Sequence, residues 1–448
     1  MSIDQEEDHQ SKKAIHSLVA HFLQSNNYHK TLKQFEEEHG KPINPEPLHS
    51  SESLEEIIKD RINFNELSSA LEDVVDVNKE LSFDLQSIIT HQIDNWPTPY
   101  PSQSEILKNV HGLIINSSYD KVNGLLFLST NDSKFIVVDY ATNEIIGEFV
   151  TLIARVVIKK IITLDANHVL LIGIDGKINY FKYTFKDKKI DFELIASHQA
   201  HKRFVVDVKH ITINSQIYLI SLGWDFYVRA FKLNDRDFEL ISEIKLASQG
   251  TCFDIVYYQD QLVIVLGKNE NTLLDVLTLQ DFKTLSLKYK ISLNDAEFSS
   301  SSFSPRCLTI QTPTSSLIPL IAVGTSHEPY MRLIIVSLKE INSDTSVSLV
   351  KRNQIIKNLN TLSPQDKYSQ SLISWRKLTN VDKSVGVWIA GDDGIIRGID
   401  LIHDRVIVEL SGHKGKIKDF NNVIDEDDNE ILITGGVERD VKLWKVKI

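Results

Sequence analysis

Apolar residues near the start of the chain recur with helical spacing. Ile15, Leu18, Val19 and Phe22 follow an i, i+3, i+4, i+7 pattern, and Tyr28, Thr31, Leu32 and Phe35 repeat it after "SNN". The spacing predicts two short helices meeting at Asn26 and Asn27. Each is shorter than the dozen or so residues at which a lone helix becomes marginal in water, and the pair falls below the ~40-residue size of a self-sufficient domain. Their apolar faces therefore need a second surface, either another copy of the hairpin or residues 53–93 of the same chain. That later stretch is helical in pattern as well: Ser53 and Glu56 form a capping box ahead of Ile57, Ile58 and Ile62, and Asn65 precedes Leu67 and Leu71. "NWPTPYPSQS" then ends the periodicity, with Pro97, Pro99 and Pro101 reading as a stiff linker.

From about Val110 the pattern changes to apolar stretches joined to alternating stretches through tight polar turns, as in "LIGIDGKINYFKY", "SLGWDFYVRAFKL" and "ITGGVERDVKLWKV". This is the pattern of a β-hairpin. Seven such units align on Thr130, Gly173, Gly223, Gly267, Gly324, Gly391 and Gly436, each two residues before a turn residue, at spacings of 43, 50, 44, 57, 67 and 45. A period near 45, with room for four strands per unit, predicts a seven-bladed β-propeller. The turn acid is present at Asp132, Asp175, Asp225 and Asp393, is Glu438 in the last unit, and is replaced by Asn269 and Ser326 in the fourth and fifth. The last unit reads as three strands long, so "SEILKNV" ahead of the first unit is expected to supply its fourth and close the ring.

Charge and composition narrow the functional classes. The net charge of −12 is concentrated at the front: residues 1–93 carry 18 acidic against 8 basic side chains, the remainder 43 against 41. General affinity for nucleic acid phosphates or an anionic membrane is not expected of such a chain. No apolar run is long enough to span a bilayer, and the start has no secretory pattern, so a reducing, cytoplasmic or nuclear setting is expected. Cys252 and Cys307 are the only cysteines and lack metal-site spacing. No Gly-rich phosphate loop, nucleophile elbow or paired-His helix is present, so neither catalysis, a cofactor, a metal nor a small-molecule substrate is expected. His198 and His201 are three apart, but His201 belongs to the repeat pattern described next.

The repeats resemble the WD-repeat family. In the last unit Gly412, His413, Thr434, Glu438 and Trp444 stand where that family has Gly, His, Ser/Thr, Asp and Trp; in the third, His201, Ser221 and Asp225 match, with Phe231 in the Trp place. The resemblance implies a hydrogen-bonded relay within each of these blades. It also implies that Lys202, Arg203, Trp224, Asp392, Lys414 and Arg439 share one rim suited to docking a protein. Trp224 there is either packed over neighbouring loops or exposed as a contact, and Lys202 and Arg203 would orient an acidic partner segment.

The opening hairpin resembles a LisH motif through Leu18, Val19, Phe22 and Leu23, then Tyr28, Thr31, Leu32, Phe35 and Glu38, with Asn27 where that family has Gly. This resemblance implies a homodimer. "NKELSFDLQSII" is similar to the end of a CTLH domain. Together these give the expected organisation: a disordered tail over 1–11, a LisH hairpin over 12–40, a CTLH-like helical segment over 50–93, a linker over 94–104 and the propeller over 105–448. The order resembles scaffold subunits of CTLH-type ubiquitin ligases, and parts of it resemble corepressors, Lis-type dynein regulators and a splicing factor. An enzyme working in the propeller channel is the distant alternative.

Overall fold

A computed structural model of the chain describes residues 15–43, 54, 81–150, 152–294, 303–311, 317–338, 341, 350–370, 372–379 and 383–447. The chain divides into two units, Met1–Glu80 and Leu81–Ile448.

In the first unit a helix over 15–25 is followed by a second, His29–His39. Asn27 carries the reversal at φ 61°, the left-handed conformation that asparagine tolerates best after glycine. Gly40, at φ 77°, ends the second helix and donates its N–H to the carbonyls of Glu36 and Glu37. The His16 ring meets Phe35 edge-on at 5.8 Å, and Phe22 lies 6.4 Å from Tyr28. The stripe is incompletely covered: Leu18, Val19, Phe22, Leu23, Leu32 and Phe35 are half-buried, while Tyr28 and Thr31 are exposed. The tail over 1–11 and the capping box and leucines expected over 53–71 lie outside the described residues, apart from Leu54.

The second unit is a seven-bladed β-propeller. Among the described residues there are seven sheets, each with four antiparallel strands, and the fourth adds a short parallel strand, Val350–Lys351. The inner strands, in chain order, are Ile114–Asp120, Ile158–Asp165, Val205–Ile213, Gly250–Tyr258, Pro305–Gln311, Leu372–Trp375 and Ile417–Ile424. The second strand of every blade is apolar on both faces because both are covered. Leu126 and Leu128 pack against blade 7, whereas Leu125 and Phe127 pack against blade 2. Seven such clusters, one per blade interface, close the core into a ring.

The ring closes through Pro101–Ile106, which pairs with Val441–Val446 as the outer strand of blade 7. The latch thus begins three residues earlier than "SEILKNV" and includes the last proline of the expected linker. Residues 94–104 are not a linker here. Trp96 is buried, meets Trp388 edge-on at 4.7 Å and covers Gly398, where any side chain would collide with its ring. Arg376 lies over the same indole at 4.6 Å and donates to the carbonyls of Pro97 and Pro99. The preceding helix, Phe83–Gln92, from the expected CTLH-like segment, buries Leu85 and Ile88 between blades 5 and 6. The prolines stop the helix, and the apolar residues around them hold the segment against the ring.

Strand register also revises the repeat alignment. The residue opposite the start of the inner strand is Thr130, Gly173, Gly223 or Gly436 in blades 1, 2, 3 and 7, but Lys268 and Thr325 in blades 4 and 5. The anchors are therefore Lys268 and Thr325 rather than Gly267 and Gly324. Glu270 and His327, not Asn269 and Ser326, consequently hold the turn-acid position. Lys268 is tolerated there because its ammonium meets Asp275 at 2.6 Å.

Candidate functional site

One hydrogen bond repeats around the ring and defines its upper face. The residue after each anchor donates its N–H to the loop entering the inner strand: Asn131 to Leu113, Ile174 to Val157, Trp224 to Phe204, Asn269 to Gln249, Ser326 to Ser304 and Val437 to Lys416. In blade 6 the Asp392 carboxylate accepts from Ser369 Oγ at 2.5 Å. Hairpin turns and entering loops therefore share one rim, and all six expected docking residues lie on it.

Their states differ. Trp224 is 49% exposed, with one side of its ring against Phe204 at 5.2 Å. Lys202, Arg203, Lys414 and Arg439 are exposed. Asp392 is committed within the chain, since Lys416 Nζ lies 2.6 Å from it. At the same post-anchor position as Trp224, Ile174 and Val437 are also exposed, at 40% and 43%. The repeat alignment contained these two residues, but only the upper-face hydrogen bond shows that they are equivalent to Trp224.

Beneath the rim the two relays are in place. In blade 7 the Trp444 indole donates to Thr434 Oγ1 at 2.9 Å, Thr434 Oγ1 lies 2.7 Å from His413 Nε2, and His413 Nδ1 lies 2.6 Å from Glu438 Oε1. In blade 3 His201 Nε2 is 2.8 Å from Ser221 Oγ and its Nδ1 2.8 Å from Asp225 Oδ1. Buried Phe231 has no donor to extend that relay. Burial holds both imidazoles below their ordinary pKa, against the pull of Asp225 and Glu438. Burial also pushes Asp225 upward, but hydrogen bonds from Arg229 and His201 outweigh it and hold the carboxyl low.

The central channel, with a cavity of about 520 Å³, carries charge that the sequence pattern hid. A β-bulge after the first inner-strand pair recurs in six blades and brings Asn116, Lys160, Asp207, Cys252, Cys307 and Asp419 to equivalent positions. Lys160 and Asp207 lie 3.5 Å apart, and Lys209 links Asp207 at 3.8 Å to Asp254 at 3.4 Å. Asn116 Oδ1 accepts from Ile161 N and Asp254 Oδ2 from Ile310 N, both at 2.8 Å, so these side chains also tie neighbouring blades together. Burial pushes the Cys252 thiol up to about 12 and raises Cys307 as well, which favours the protonated thiol in both. Among the described residues no group of His, Cys, Asp and Glu is arranged to hold a metal, and no helix is long and apolar enough to cross a membrane.

A helical hairpin of LisH form ahead of a seven-bladed propeller defines the class to which the chain belongs. Family models agree on both parts: the UCP007778 beta-propeller domain matches residues 75–445 and the UCP007778 LisH domain residues 13–44. The chain belongs to the UCP007778 family. It is 26% identical over 470 residues to the uncharacterized protein YGR117C of Saccharomyces cerevisiae (strain ATCC 204508 / S288c), covering 94% of each. Among solved structures it is similar to Chaetomium thermophilum Sqt1 bound to the N-terminus of the ribosomal protein L10, with TM-score 0.53 and 14% identity over 78% of this chain and 100% of that one. At that identity the likeness concerns the fold alone.

Proposed function

We propose that this chain is a non-catalytic scaffold that self-associates through its LisH hairpin and docks protein partners on the propeller rim. The observation that carries the reading is Trp224, a large apolar side chain left half in water at a turn whose backbone is fixed by hydrogen bonds. The likeness to Sqt1 fits this reading, since that propeller was solved with a segment of another protein. The order of LisH hairpin, helical segment and propeller favours a CTLH-type ubiquitin ligase in the cytoplasm or nucleus as the assembly. Affinity capture of the tagged full chain, with identification of co-purifying proteins, tests it. Ligase subunits should be recovered with the native chain and lost with Trp224→Ala. Recovery of a different stable assembly would replace the ligase, and undiminished capture by a folded Trp224→Ala protein would overturn the rim.

A further inference from the structure

The rim around blades 2 and 3 combines apolar post-anchor residues with several cations in no close ion pair. Apolar residues fill the post-anchor position in both blades, Ile174 and Trp224, where blades 4, 5 and 6 have Asn269, Ser326 and Asp392. The cations beside them are also unmatched. Among the described residues, Arg155, Lys159, Lys202 and Arg203 take part in no ion pair. Of the nearby acids, Asp225 is held by Arg229 at 2.8 Å and by His201, and Asp207 lies 3.5 Å from Lys160 and 3.8 Å from Lys209.

Trp224, Phe204 and Lys159 form a continuous track. Trp224 packs on Phe204 at 5.2 Å, and Lys159 Nζ stands 5.7 Å from the centre of the same Phe204 ring. Lys159 adjoins Lys160, which lines the channel. From Trp224 inward the surface thus runs aromatic, aromatic, cation, flanked by Lys202 and Arg203. Burial pushes the Lys159 ammonium down from its ordinary pKa against the pull of Asp207 and Asp419, consistent with a cation partly withdrawn from water.

We infer that this track binds an extended acidic segment, with an apolar side chain seated on Trp224 and Phe204 and carboxylates reaching Lys159, Lys202 and Arg203. The inference rests on the rim reading above and adds the partner's chemistry. A basic segment would bring like charge against these three cations. A purely apolar one would leave those cations unmatched.

The test uses the full chain and a fluorescein-labelled synthetic peptide in which glutamates flank one phenylalanine, with a second peptide carrying glutamine in place of every glutamate. Fluorescence anisotropy should show the glutamate peptide binding at least about tenfold more tightly, with the difference shrinking as salt rises. Lys159→Gln should weaken it about fivefold or more, whereas Lys186→Gln, an exposed lysine between the outer strands of blade 2, should leave it unchanged. Equal affinity for the two peptides, no binding of either, or equal effects of the two lysine substitutions would overturn the acidic-segment assignment. Loss of natural partners with Trp224→Ala is read separately, so the rim can stand even where the partner chemistry fails.

Discussion

Arg376 and Glu430 form a buried ion pair between blades 6 and 7, with Nε 3.1 Å from Oε2 and side chains only 1% and 3% exposed. Glu430 also accepts from the Trp388 indole, the Lys377 N–H and Asn422, while Arg376 reaches the Pro97 and Pro99 carbonyls. The pair therefore sits at the centre of the clasp that holds the N-terminal segment of the propeller. Arg376→Ala leaves Glu430 buried without its counter-charge and should destabilise the propeller by about 3–5 kcal/mol. Urea unfolding followed by tryptophan fluorescence measures this. The double variant Arg376→Met, Glu430→Gln should recover part of the loss, and a single variant as stable as the native chain would remove the clasp from the account.

Ring closure depends on Pro101–Ile106, because without it Val441–Val446 is an open edge. A chain beginning at Leu81 keeps the buried helix, Trp96 and the latch. One beginning at Leu107 loses all three. The first should be soluble and melt close to the full chain, and the second should aggregate. Size-exclusion chromatography and thermal melts of both compare them directly, and equal behaviour would show that the latch contributes little.

The repeat period made the blades legible because each unit is one hairpin pair with its own turn. Long loops after blades 4 and 5 did not obscure the count. The anchor register of blades 4 and 5 was not legible, because Lys268 fits an anchor only through Asp275 and Thr325 only through His327, 2.7 Å from its hydroxyl. Trp96 read as linker since its partners Arg376, Trp388 and Gly398 lie far along the chain. The channel charges were hidden for a different reason: the recurrent bulge shifts the period by one residue where Lys160 and Asp207 stand. In the rim, by contrast, Trp224 was visible because its position between the anchor Gly223 and the turn acid Asp225 follows directly from the repeat.

Acid should weaken the propeller in two steps. His201 and His413 are held low by burial, and His198, His210 and His327 shift the same way for the same reason. The unfolded chain takes up protons on these groups near pH 6.5 while the folded one resists, so their contribution is complete above about pH 6.5 and lost as pH falls below it. Asp225 and Glu438 are held low by their hydrogen bonds, against burial, and their contribution is lost only as pH falls below about 4. Melting temperatures should be flat from about pH 8 to 7, decline toward pH 5 and fall again below about pH 4. Replacing both relay histidines, His201→Gln with His413→Gln, should flatten the first decline without abolishing it. A melting temperature that rises between pH 7 and pH 5.5 would contradict the sign of the argument.

The LisH hairpin leaves its apolar stripe only half covered, and that makes the oligomeric state testable. Phe22 and Phe35 lie on the two helices, both half-buried, and Tyr28 and Thr31 beside them are exposed. A second hairpin packed on this stripe would complete the cover that a single pair of short helices lacks. Phe22→Asp with Phe35→Asp places two carboxylates where a partner stripe would have to remove them from water, a change that disfavours association by several kcal/mol. Light scattering should therefore give twice the chain mass of 51.0 kDa for the native protein and the single-chain mass for the variant. Circular dichroism should show the propeller intact in both. Asn27→Val, which forces a β-branched residue into the left-handed turn at φ 61°, should loosen the dimer by a second route with no added charge. A native protein of single-chain mass would remove the homodimer from the proposal, whereas a dimer unaffected by either variant would move the contact to another part of the chain.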